Sequence, residues 1–199
     1  MLNYNAIFND GMTYSNYREV VYLRMQDGKT TGDNHSPEML HYTKMNNHRM
    51  NRIEKEMVLS KDLSQVISTI KGKYNFLVIS EGWCGDAAQI LPVFDRIVEE
   101  SRRKFEMKIV LRDENLELMD NYLTNGGRAI PVVLILDENK NPVLPKWGPR
   151  PQVVQKLLKQ WKEESDDMGL IAEQLHGWYA KDKTQTTQAE LVELLKQLE

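Results

Sequence analysis

The sequence predicts an α/β fold: a central mixed four-stranded sheet flanked by helices, with helical extensions at both ends. Two observations carry this. Short, strongly apolar runs near 75–80, 106–112 and 131–137 alternate with stretches of helical periodicity, the order expected when strands are buried between helices. The segments before residue 72 and after residue 165 carry helical spacing and no strand-like run. The chain thus divides into a helical N-terminal extension (1–72), an α/β core (73–164) and a helical C-terminal extension (165–199). The extensions are too apolar to be disordered and are expected to pack on the core as one domain. They are read as covering the sheet or forming a dimer surface, and the sequence does not choose between these.

The stretch from Asn3 to Phe8 gives no derivable role. Tyr14, Tyr17, Val21 and Arg24 recur at helical spacing, with Val20 and Leu23 widening the stripe, until Asp27-Gly28 breaks the pattern. Ser36-Pro37-Glu38 is a helix start: a capping hydroxyl, a proline at the first helical position and an acid in the first turn. That helix is expected to run to about Glu56. Leu63, Val66, Ile67 and Ile70 predict another from Ser60 to Lys71.

Asn75–Ser80 is a candidate buried strand. Cys84 to Lys104 has helical spacing through Ile90, Leu91, Phe94, Ile97 and Val98. Glu106–Arg112 is a second strand, Leu116–Leu123 a short helix stopped by Asn125-Gly126-Gly127, and Pro131–Asp137 a third strand. After the turn at Asp137–Asn141, Pro142–Trp147 is expected as the fourth strand. Helices follow at Gln152–Glu164, Met168–Asp182 and Thr187–Leu198, the last with a capping box from Thr187 and Glu190. The first two strands should be parallel through a right-handed crossover, and the last two an antiparallel hairpin.

Composition bounds the function. The 199 residues are 41% hydrophobic and 28% charged, with a net charge of −3. That balance argues against nucleic-acid or membrane-surface binding through gross charge. There is no apolar run of about 18 residues, so no spanning helix is expected. The opening MLNYNAIFNDGM has no basic region followed by an apolar block, so it is not read as a signal peptide. One cysteine cannot form an internal disulfide, which makes a reducing cytoplasm the expected location. His41 and His48 are seven residues apart but no metal-binding pattern accompanies them, and the methionines at 39, 45, 50 and 57 read as helix packing. Neither a metal nor a cofactor is expected. There is no Walker loop, no dinucleotide-binding glycine fingerprint and no GxSxG.

The chemistry gathers around Cys84. Trp83-Cys84-Gly85-Asp86 is similar to the Trp-Cys-Gly-Pro opening of a thioredoxin active site. Pro92 lies eight residues after Cys84, where thioredoxins carry the proline that kinks the active-site helix. Gly127-Arg128-Ala129-Ile130-Pro131, followed by Val132 to Leu136, resembles the segment that carries the thioredoxin cis-proline, and Trp147-Gly148 stands in the place of the glycine region after the last strand. These pieces, in order, cover residues 73–164, and the chain resembles the thioredoxin family. The strings WCGDAAQ, WGPRP and WYAKDK look like a single-cysteine, bacterial branch of it.

Two departures matter. Dithiol thioredoxins carry a second cysteine where this chain has Ala87, and a buried acid where it has Val78. In the resembled family that acid helps take the proton of the second cysteine. Without a resolving thiol it has no proton to receive, and a lone buried carboxylate only costs free energy. The paired loss implies that the dithiol reaction has been abandoned.

One thiol at a helix start is favoured as thiolate by the unpaired N–H groups there, whereas Asp86 opposes this. Each effect is worth roughly 0.3–1 kcal/mol near a surface, so the sign of the shift stays open. A thiolate can attack a disulfide, after which an outside thiol must resolve the product, or it can take an oxidising equivalent as sulfenic acid. The resemblance implies that a cis Ile130–Pro131 bond turns the Ile130 backbone toward Cys84, where it pairs with an extended substrate. Trp83 and Trp147 would form an apolar rim, Gly85 and Asp86 the near wall, and Arg128 an anionic contact.

Each residue has a plainer reading. Cys84 can be a buried, inert small hydrophobe, Pro131 a trans residue opening an edge strand, and Asp86 a helix-stabilising acid. Trp83 and Trp147 can be core packing, and Arg128 a solvated side chain. The expected function is monothiol redox chemistry at Cys84, on a protein or low-molecular-weight thiol or disulfide, with an external thiol. The alternative is a non-catalytic protein- or peptide-binding module. Glutathione or iron–sulfur binding, as in single-cysteine glutaredoxins, is disfavoured because the Cys-Gly-Phe-Ser type of site is absent.

Overall fold

A computed structural model describes residues 2–198. Four helices come first: α1 (Tyr4–Asp10), α2 (Tyr14–Gln26), α3 (Pro37–Glu56) and α4 (Lys61–Thr69). Then follow β1 (Tyr74–Ser80), α5 (Gly85–Glu100), β2 (Phe105–Leu111), α6 (Leu116–Asp120) and β3 (Val132–Leu136). The chain closes with α7 (Gln152–Glu164), α8 (Met168–Asp182) and α9 (Gln185–Leu195), the last ending in a 3-10 turn at Lys196–Leu198.

Local chemistry sets the helix starts. Asn3, Thr13, Ser36 and Ser60 each accept a backbone N–H of the first turn of α1 to α4, satisfying donors that have no partner inside a helix. Asn3 to Phe8, silent in the sequence, caps and opens α1. Phe8 is buried, and Met12 just beyond exchanges two 2.8 Å hydrogen bonds with Ile109 on the outer edge of β2. That contact covers part of an edge that would otherwise present free backbone groups.

The sheet has three strands in the order β2-β1-β3. β1 runs parallel to β2 with Val78 opposite Ile109, and antiparallel to β3 with Val78 opposite Val133. The fourth strand expected at Pro142–Trp147 does not form. That segment follows β3 and touches it only at isolated points: Val143 donates to the Ile135 carbonyl at 2.9 Å, and Trp147 and Val133 exchange two bonds of 2.9 Å. Pro142 and Pro145 have no N–H, so a continuous ladder cannot be built on this stretch.

The core is layered on both faces of β1. Phe76 stacks on Phe105 with centroids 4.7 Å apart and meets Phe94 edge-on at 5.0 Å. Phe8 and Tyr17 from the N-terminal helices, and Leu191 and Leu195 from α9, belong to the same apolar cluster. A smaller cluster of Val154, Leu175 and Tyr179 joins α7 to α8. No helix among the described residues is long and apolar enough to cross a membrane.

The capping box expected at the last helix is also absent. α9 begins at Gln185, and Thr187 is buried inside it. The Asp182 carboxylate accepts the Thr186 N–H instead, at 3.1–3.2 Å. Glu190 is committed elsewhere: its carboxylate accepts from Trp147 Nε1 at 3.0 Å and from the Gln152 N–H at 2.6 Å. It thereby ties α9 to the start of α7.

Candidate functional site

β1 ends at Ser80, and a tight turn brings the Cys84 N–H onto the Glu81 carbonyl at 3.1 Å. Cys84 becomes the N-cap of α5. Its sulfur accepts the Ala87 N–H at 3.4 Å, and its thiol faces the Ile130 carbonyl at 3.2 Å, forty-six positions along the chain. The Ile130–Pro131 bond is cis. Cys84, Ile130 and Pro131 are therefore brought together.

A second cis bond, unforeseen in the sequence, lies at Gly148–Pro149. Gly148 has φ +111, and a Cβ there would meet the Pro131 carbonyl oxygen at 2.3 Å. Only glycine lets the two backbones approach this closely. Gly148→Ala is expected to destabilise the fold by more than about 2 kcal/mol, combining a clash with an unfavourable φ. A thermal melt of the variant that overlays the parent would contradict this.

The thiol is only 6% exposed. Burial is the largest influence on its ionisation and pushes the pKa up from 9.0 to about 12; the Asp86 charge adds to the rise. The Ala87 N–H and Arg150 oppose it without prevailing. Removal from water thus outweighs the helix-end effect, which settles the direction that the sequence left open.

Asp86 stands in the first turn of α5, as a helix-stabilising acid would, but it is buried there. It is 5% exposed and takes a forked pair from Arg150, with Nε at 3.1 Å from both oxygens and the terminal nitrogen at 2.6 Å. The Tyr179 hydroxyl donates to it at 2.6 Å. One carboxylate thus fastens the start of α5 to α8 and to the segment after the second cis bond. Burial drives the Tyr179 hydroxyl well above its ordinary pKa, and the Asp86 charge adds to the rise.

His176 on α8 closes over Gly85, where an added Cβ would meet the ring at 2.6–2.7 Å. Burial and nearby Arg49 lower its pKa to about 4, so it is neutral near pH 7. Its Nδ1 is buried without a hydrogen-bond partner among the described residues.

Trp83 is half-buried, with the Arg112 guanidinium 4.7 Å above its ring. Arg128 lies at the mouth and pairs with Asp120 at 2.7 and 2.8 Å. Both border a cleft of about 350 Å³ that also touches Tyr42, Cys84, Ile130 and His176. Trp147 does not border it. It is 7% exposed, packs on Phe94 at 5.7 Å and donates to Glu190, so the expected second rim tryptophan is a core residue.

At the strand position expected to have lost its acid, Val78 is buried in β1, but a different acid stands close by in the turn that follows. Glu81, three residues on, is fully buried. One of its carboxylate oxygens accepts the Asp113 N–H at 3.0 Å, and the other has no partner among the described residues. Burial raises its pKa.

Arg150, His176 and Tyr179 join the site without a signal in the sequence. Arg150 and Tyr179 lie within WGPRP and WYAKDK, but nothing in sequence spacing pairs positions sixty-four and ninety-three residues from Asp86. Among the described residues, no group of three or more His, Cys, Asp or Glu side chains is placed to hold a metal ion.

Comparison with known proteins adds the following. A family model described as thioredoxin matches residues 32–162, starting inside the expected N-terminal extension and so including α3 and α4. No curated protein sequence matches. A protein of unknown function from Pseudomonas aeruginosa, known from a 1.5 Å crystal structure, superposes with a TM-score of 0.66 at 19% identity over 100% of both chains. An HIV epitope-scaffold superposes with a TM-score of 0.62 at 19% identity over 98% of both chains. At this identity the two structures speak to the fold.

Proposed function

The chain belongs to the thioredoxin family, and from that premise we propose that it performs monothiol exchange at Cys84, with an external thiol completing the cycle. The observation that carries the reading is the approach of the thiol to the Ile130 carbonyl at 3.2 Å beside an open cleft. A substrate chain that pairs with the Ile130 backbone competes for the bond that holds the thiol proton. Cys84 then attacks a substrate disulfide. The substrate S–S bond breaks, a Cys84–sulfur bond forms, and the departing thiolate takes up the proton that Cys84 loses. An external thiol attacks the mixed disulfide, frees Cys84 and leaves as the new disulfide. The net change is one disulfide exchanged for another, with no further oxidant or reductant.

The same reading places the chain in the single-cysteine, bacterial branch that its motifs resemble, working in a reducing cytoplasm. A second reading, a non-catalytic peptide-binding module, is favoured by the burial of Cys84 and by its raised pKa. Intact-mass analysis separates the two. With a small disulfide in excess, exchange predicts one adduct on Cys84 that added thiol removes and that Cys84→Ser abolishes. A binding module predicts no adduct at any pH up to about 10, where even a hindered thiol begins to ionise.

A further inference from the structure

We infer that α8 is a gate over Cys84, swinging out as a unit to bare the thiol to an extended substrate chain; the inference adds control of access to the exchange reading above and rests on it. α8 stands apart from the main core. Its buried Leu175 and Tyr179 pack with Val154 of α7, and Trp161 and Trp178 lie against that small cluster. None of these five residues belongs to the apolar cluster built on β1. Lifting α8 therefore breaks only a satellite cluster and leaves the core around the sheet intact.

The inner face of α8 meets the rest of the protein across a seam with hollows on both sides. One is the cleft at Cys84, which α8 walls with Leu175 and His176. The other is a space of about 300 Å³ between Tyr179, Ala180 and Thr184 and the facing Ile53, Met57 and Gln89. Between them the Tyr179 hydroxyl reaches Asp86 at 2.6 Å. This bond and the seat of His176 on Gly85 hold the helix down. The seat carries a cost, because His176 Nδ1 is sealed from water with no partner among the described residues. Opening returns that nitrogen to solvent. Well-packed interiors hold few voids, and lids are drawn from the least stable parts of a fold. An element set between two hollows on a small polar contact fits that description.

The far end of the helix suits a hinge. Lys183 and Thr184 take φ +49 and +68, two consecutive left-handed residues in the short link to α9. Hinges are a few element-terminal residues that absorb the backbone change. α9 itself stays on the core through Leu191 and Leu195. With α8 closed the thiol is 6% exposed, and the cleft of about 350 Å³ has the size of a site for one small ligand. An extended chain pairing with Ile130 needs more room than that.

The four tryptophans supply the test. Trp178 rides on α8, Trp161 on α7, Trp83 borders the cleft and Trp147 lies in the core. In protein labelled with fluorotryptophan, fluorine relaxation dispersion reads the microsecond-to-millisecond motions typical of lids. Trp178 and Trp83 are expected to show dispersion with one common rate, and Trp147 none. Tyr179→Phe keeps the ring and drops the hydroxyl, and should raise the open fraction about tenfold, the weight of one hydrogen bond to a charged group. A fluorescein maleimide attached to Cys84 at high pH is bulkier than the cleft, and should move the Trp178 signal to the position of the open state. A Trp178 signal as flat as that of Trp147 in both proteins, or one unmoved by the label, overturns the gate. Exchange is judged separately. A small disulfide that still marks Cys84 leaves exchange standing without a gate. Absence of any such adduct up to about pH 10 removes exchange, and with it the purpose of the gate, while the dispersion still reports whether α8 moves. Should Tyr179→Phe fail to fold, the parent's dispersion and the labelled parent decide the question.

Discussion

Alkylation of Cys84 in the free protein is expected to be slow at neutral pH and to quicken about tenfold per pH unit to at least pH 10. The nucleophile is the thiolate. A pKa of about 12 leaves about one molecule in 10⁵ ionised near pH 7. A free cysteine at ~8.5 is about 3% ionised there, so the native protein should react roughly 10³-fold more slowly, before any steric shielding is counted. Unfolding in urea should restore the free-cysteine rate, because the shift belongs to the fold. The sign extends to stability. The native state holds a proton that the unfolded chain releases first, so this group's contribution to stability is intact below pH 9.0 and declines as the pH rises toward about 12. Iodoacetamide rates against pH test this, and a plateau reached below pH 9 would be the contrary result.

Asp86→Ala should produce the largest loss of stability of any single change near the site. Asp86 and Arg150 are an ion pair with only 7% and 17% of their side chains exposed. Removing one partner strands the other's charge in a place built for two, which costs roughly 3–5 kcal/mol. Loss of the Tyr179 bond belongs to the same deficit. The double change Asp86→Ala with Arg150→Met should recover part of the loss, because no charge is then left unpaired. Asp86→Asn gives a milder version that keeps an acceptor for Arg150. In both single variants the Cys84 pKa should fall, since the Asp86 charge raises it and the freed Arg150 lowers it. Chemical denaturation and the alkylation profile measured on the same variants check both halves. Equal stability of parent and Asp86→Ala would remove the pair from the account.

How far the sequence reaches can be seen at individual residues. Ser36 and Pro37 announce α3, and the apolar run into Ser80 announces β1, because those signals are local and strong. Motif order alone brings Cys84 and Pro131 together in the sequence. Trp147 lies in the core and not at the rim, and a tryptophan reads the same in either place until its neighbours are known. Its partners, Phe94 and Glu190, lie on other elements. The fourth strand expected at Pro142–Trp147 is absent because Pro142 and Pro145 have no N–H to donate. The Asp86–Arg150–Tyr179 cluster is out of reach of the sequence, because two helices and the segment after the second cis bond assemble it. The thiol's ionisation was undecidable from sequence for the same reason: burial dominates it, and burial is a property of the whole fold.

Cys84 is the one cysteine of the chain, so a vibrational band from an S–H bond has a single source. The most direct test is the S–H stretch in the Raman spectrum of the free protein near pH 9, about the point where an ordinary thiol is largely ionised. The account predicts a band at full intensity, shifted to lower frequency by donation to the Ile130 carbonyl. A band already lost at pH 8, or one at the frequency of a thiol with no acceptor, would contradict it.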